Sequence, residues 1–119
     1  ASENKSLAHP CSVDTIPTSA NREDHVSMGV TAARHADRVV ANTAKVLGIE
    51  LLCAAQGLDL GEPLRPGAGV DVAYKTLRKR VPMLAGDRFL APDLAAAEVL
   101  VRDGSLVAAV EKKVGELAL

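Results

Sequence analysis

Aromatic residues are almost missing from this 119-residue chain: one Tyr, one Phe and no Trp. An aromatic-rich sandwich or barrel is therefore excluded, and any core must be built from thin aliphatic side chains. Charge of one sign is lacking too. Fourteen basic residues face fifteen acidic ones, a formal net charge of −1, so no global basic field draws nucleic acid or an anionic membrane. The two cysteines, Cys11 and Cys53, lie 42 positions apart without framework spacing, which reads as free, buried thiols in a reducing compartment. The longest dense apolar stretch, Val46 to Ala55, is interrupted by Glu50 and reaches about half a bilayer span. No charged start followed by an apolar run marks a signal peptide. A cytoplasmic protein with neither nucleic-acid nor membrane partners is expected. The first residue is Ala1, the expected sign of a processed chain or a piece of a longer one.

What is present is Ala, Leu and Val, 20, 15 and 14 residues respectively, spaced for helices. Residues 1–21 carry turn chemistry at Pro10, Pro17 and Thr18 to Asn21, with Leu7, Val13 and Ile16 to bury, and read as an ordered loop strap. From Arg22 to Leu60, Val26, Val30, Ala33, Asp37, Val40, Ala44, Leu47, Leu51, Ala54 and Leu58 step by three or four, with one polar slip at Asp37, the helical period. Asn21 is the expected N-cap, with Glu23 and Asp24 in the first turn where the helix dipole favours negative charge. Gly57, Gly61, Pro63 and Pro66 end the segment. Val70, Ala73, Leu77, Val81 and Leu84 predict a second helix ended or kinked at Pro82. Pro92 is suited to open a third and Ser105 to cap a fourth. A helix of some 38 residues spans about 57 Å and overshoots a domain roughly 35 Å across. Residues 22–119 thus read as an all-α, long-helix bundle segment that needs further helical partners.

Few patterns suggest chemistry. His25 and His35 are ten residues apart, about 280° around a helix, and do not share a face; no metal site is expected. No GxGxxG, phosphate loop, HExxH or CxxC occurs. The cluster Asn21-Arg22-Glu23-Asp24-His25 stands out as polar groups gathered at an expected helix start. On residues alone it is either a set of capping groups or the floor of a polar pocket. Tyr74, mid-stripe in the second helix, is expected to pack.

The run from Glu3 to Asn21 leading into Arg22-Glu23-Asp24-His25-Val26-Ser27-Met28-Gly29 resembles the C-terminal part of histidine ammonia-lyases, of the aromatic amino acid lyase family. Ala54-Ala55-Gln56-Gly57-Leu58-Asp59-Leu60 and Asp87-Arg88-Phe89-Leu90-Ala91-Pro92-Asp93 resemble the same family in the same order. The resemblance implies elimination of ammonia from L-histidine to give trans-urocanate. It implies a methylidene-imidazolone electrophile made from the enzyme's own Ala-Ser-Gly, and a homotetramer whose sites draw on several subunits. It assigns Glu23 as the active-site glutamate, with Asn21, Arg22 and His25 contacting substrate or supporting the site. Arg22 stands where many bacterial members have glutamine. No Ala-Ser-Gly occurs in the 119 residues, so the ring must come from the remainder of the lyase chain, and this chain alone is expected to be inactive. Two rivals remain: part of a phenylalanine or tyrosine lyase or aminomutase, and a non-catalytic helical oligomerisation module.

Overall fold

The structure, a computed structural model, describes residues 1–13, 15–22 and 25–118, with the Asn21 side chain left out. Among the described residues there is no β-strand. Five α-helices follow one another: α1 (Ser2–Leu7), α2 (Gly29–Leu60), α3 (Ala68–Arg78), α4 (Ala91–Arg102) and α5 (Ser105–Val114). Two 3-10 turns, Cys11–Val13 and Ser19–Asn21, lie between α1 and α2. The chain divides into two compact units, residues 1–43 and 44–119.

In the first unit the strap is more structured than its turn residues suggest, because it opens with α1. Glu3 accepts an ion pair from Arg38 at 2.8 Å, and the Asn42 amide donates to Glu3 Oε2 and Asn4 Oδ1, each at 2.9 Å. Two residues of α1 are thereby tied to α2, which gives so short a helix the tertiary support it needs.

The main departure concerns where α2 begins. The helical spacing of Val26 and Val30 predicts a start at Arg22, but α2 starts at Gly29 and has no acidic residue in its first turn. Asn21 closes a 3-10 turn instead of capping α2. The N-terminal amide of Gly29 is met by Ser27 Oγ at 3.3 Å, a local hydroxyl-to-backbone bond of the kind that starts helices. At 32 residues α2 spans about 48 Å, and by length and composition it is long and apolar enough to cross a membrane.

In the second unit the core is Ala55, Leu77, Val81, Ala97 and Leu100, with Leu51, Leu52, Tyr74 and Ala96 against it. The buried positions of α2 are Ala44, Gly48 and Ala55, all small. A Cβ at Gly48 would stand 3.1 Å from the Glu98 amide nitrogen and 3.3 Å from the Ala97 carbonyl carbon, so α2 and α4 meet backbone to backbone. The expected stripe is therefore shifted: Leu47 is 44% and Val40 69% exposed. α3 packs on α5, where Gly69 faces Val110 and Val114.

The remaining boundaries follow local chemistry. Pro92 lies in the first turn of α4, a position that needs no amide hydrogen. α3 stops at Arg78, before Pro82. Gly104 takes φ +70° between α4 and α5, and Asp103 Oδ1, not Ser105, supplies the cap by accepting the Ser105 amide at 2.9 Å.

Candidate functional site

The residues singled out by sequence lie in the segment between α1 and α2. Glu23, the residue assigned to catalysis, and its neighbour Asp24 lie outside the described residues, as does the Asn21 side chain. Arg22 and His25 are described and both are exposed. Arg22 has αR backbone, and its amide donates to the Ser19 carbonyl at 3.2 Å.

Two features shape the chain around them. Ser19 and Ala20 have φ of 52° and 54°, consecutive left-handed residues that are not glycine, a conformation that costs about 1–2 kcal/mol each. Such strain persists where the surroundings hold it, often at functional sites. Six residues later the Val26 amide donates to Thr15 Oγ1 at 2.9 Å. This bond joins the two arms of the loop that contains Arg22, Glu23 and His25. α2 starts at Gly29, and its first turn contains no acidic residue, so the sequence expectation of Glu23 and Asp24 in that turn is not met.

The histidines remain apart in role. His35, on α2, meets Cys11, with Sγ and Nδ1 3.5 Å apart. His9 is exposed. Both cysteines are free, but Cys53 is exposed and Cys11 half-buried, against the expectation of two buried thiols. Among the described residues no group of three or more His, Cys, Asp and Glu side chains is placed to hold a metal.

The second unit holds an ionised cluster that sequence spacing did not indicate. Asp59 on α2 pairs with Arg78 on α3 at 2.5 Å, with side chains only 7% and 13% exposed. Tyr74, expected merely to pack, donates its hydroxyl to Asp59 Oδ1, and the Arg78 guanidinium lies 5.6 Å from its ring centroid. Burial pushes the Asp59 carboxyl up, but bonds from Tyr74 and Arg78 and the Arg78 charge together outweigh it and hold the group below its ordinary value. The bond to Asp59, with burial, raises the Tyr74 hydroxyl. The cluster clasps α2 to α3. A nearby groove of about 470 Å³ is lined by Ile49, Leu52, Leu60, Leu84 and Leu94 among others. Gln56 and Leu84 close part of it through a reciprocal amide pair at 3.1 and 3.2 Å. Its walls are mainly apolar; of its charged members, Arg88 and Asp93 bond each other at 2.8 Å and Arg78 pairs with Asp59.

Comparison with known proteins identifies the family and the fold. The family model for aromatic amino acid lyase matches residues 1–79. Histidine ammonia-lyase of Symbiobacterium thermophilum is 60% identical over 116 residues, and that of Natranaerobius thermophilus 57%, each over 98% of this chain and 23% of the relative. The crystal structure of histidine ammonia-lyase from Trypanosoma cruzi superposes with a TM-score of 0.88 at 41% identity, over 93% of this chain and 22% of that one. A tyrosine aminomutase from Streptomyces globisporus superposes with a TM-score of 0.84 at 31% identity, over 92% of this chain and 21% of that one. The chain thus spans less than a quarter of the length of these relatives, and it belongs to the aromatic amino acid lyase family, as an all-α segment of that fold.

Proposed function

We propose that this chain is a segment of a histidine ammonia-lyase, a cytoplasmic enzyme that eliminates ammonia from L-histidine to give trans-urocanate. The observation that carries the choice of substrate is a contrast between two solved structures of similar fold. Identity is 41% to the histidine ammonia-lyase and 31% to the tyrosine aminomutase. Phenylalanine or tyrosine as substrate is the second reading. It is kept because the aminomutase fold covers 92% of the chain.

In this reading Glu23 stands beside the substrate. A glutamate ionised at neutral pH pairs with an ammonium or imidazole group, or takes a proton, where the loop brings it within hydrogen-bond reach. The electrophile that makes the amine a leaving group is the methylidene-imidazolone. The residues present do not fit it, because no Ala-Ser-Gly occurs in this sequence. The ring and the other substrate contacts belong to the remainder of the lyase chain and its subunits, as a homotetramer. Neither metal nor nucleic acid has a part. The apolar residues left exposed on α2 are covered in that assembly by protein, not lipid, because Lys45 and Glu50 fall in the middle of its apolar stretch and charges inside a bilayer are costly.

The test is a substrate panel on the complete enzyme, with histidine, phenylalanine and tyrosine, reading ammonia and the unsaturated acid. Turnover of histidine alone is expected, with none from the 119 residues by themselves. Preference for phenylalanine or tyrosine moves the assignment to the second reading. No elimination from any of the three leaves a non-catalytic helical module.

A further inference from the structure

We propose that Thr15 is a positioning residue whose hydroxyl clasps the arms of the loop carrying Arg22, Glu23 and His25. The proposal rests on the reading of Glu23 as the active-site carboxylate and adds a residue that holds the segment to which it belongs.

The bond from the Val26 amide to Thr15 Oγ1 bridges eleven positions at 2.9 Å. Bringing the ends of such a loop together costs chain entropy, and this bond holds those ends together. Its donor is the backbone amide three positions after Glu23 in the sequence. Val26 has the apolar spacing of α2 but precedes it: its amide is engaged by Thr15, and the helix begins at Gly29. Inside the loop, Ser19 and Ala20 hold left-handed backbone, which non-glycine residues leave when nothing enforces it. Opening the clasp removes one of the constraints on that strained turn, and Arg22 hangs from the turn by its amide bond to the Ser19 carbonyl. The loop is exposed at Thr15, Ser19, Ala20 and Arg22, so its shape is set by hydrogen bonds and backbone, not by core packing. Loss of the clasp therefore alters the placement of the loop far more than the stability of the fold.

The chemistry of the acceptor gives clean substitutions. Thr15→Val keeps the branched shape and removes the acceptor oxygen; Thr15→Ser keeps the oxygen. In the complete enzyme, Thr15→Val lowers kcat by about 10- to 100-fold, the scale of a misplaced catalytic group. KM changes much less, and the thermal midpoint stays close to that of the parent. Thr15→Ser restores kcat, and amide exchange at Val26 quickens in Thr15→Val but not in Thr15→Ser. Added to Glu23→Ala, Thr15→Val produces less than about a twofold further loss, because residues that act as one unit are non-additive. Full turnover in Thr15→Val while Glu23→Ala has collapsed overturns the clasp alone. So does an equal fractional loss with and without Glu23, which makes Thr15 a general structural residue. Unimpaired turnover in Glu23→Ala overturns instead the reading on which the clasp rests.

Discussion

Removing the Asp59 carboxylate strands two partners at once. In Asp59→Ala the Arg78 guanidinium, 13% exposed, keeps its NH1 bond to the Val81 carbonyl at 3.2 Å and its place over the Tyr74 ring but loses its counter-charge, and the Tyr74 hydroxyl loses the Asp59 acceptor. Breaking one side of a buried ion pair costs about 3–5 kcal/mol; for this part-buried pair that range is the upper bound, against a total stability of about 5–15 kcal/mol. The same structure says that the pair itself is worth little over apolar packing. Arg78 Nε is already buried without a partner, and burying such a group carries a penalty. Replacing both residues with apolar ones of similar volume, Asp59→Leu with Arg78→Met, is therefore expected to fall within about 1 kcal/mol of the parent or above it. Urea unfolding followed by far-UV circular dichroism measures all three proteins. A single variant as stable as the parent, or a double variant as weak as the single one, refutes the argument. The pH dependence follows from the same bonds. The native Asp59 carboxyl lies below its ordinary 3.8, so the native state binds fewer protons than the unfolded chain there. Its contribution is whole above 3.8 and fades as pH falls through the lowered native value. Asp59→Asn removes that part of the acid-side slope.

Two further outcomes test the packing. Gly48→Ala gains up to about 1 kcal/mol of helix propensity but drives a methyl into α4 backbone at 3.1–3.3 Å, where overpacking costs about 1–3 kcal/mol; net destabilisation is expected by thermal melting. Gly57→Ala, with nothing within 4 Å of its Cβ position, is expected to stabilise instead, and the same sign at both sites contradicts the packing account. Leu100→Ala, at a fully buried position, costs about 2–5 kcal/mol in the same urea assay, and a loss below about 1 kcal/mol places Leu100 outside the core.

Much of the helical layout is legible in the sequence because it depends on local chemistry. Pro92 opens α4 since a proline needs no amide partner there, and α2 ends at Leu60, just before Gly61. The start of α2 is not legible, because Val26 has helical spacing yet lies in the preceding loop, where its amide bonds Thr15, eleven residues away. The buried seam of α2 is hidden for a similar reason. Apolar periodicity weights Leu47 and Leu51, whereas close helix approach selects Ala44, Gly48 and Ala55, which hydrophobicity ranks low. Asp59, Tyr74 and Arg78 come together across two helices, a pairing that no spacing within either helix encodes. For the candidate site the order is reversed. The run Glu23 to Met28 carries the family resemblance, and membership is shown. The expected helix start at Arg22 is not found, because α2 begins at Gly29.

The central claim is that this segment supplies one carboxylate to a site whose electrophile comes from elsewhere in the lyase. The direct measurement is histidine turnover by the complete enzyme carrying Glu23→Ala, with assembly followed by sedimentation. The account predicts a kcat lower by about two or more orders of magnitude in a protein that assembles as before. Near-parental release of urocanate by that variant contradicts it.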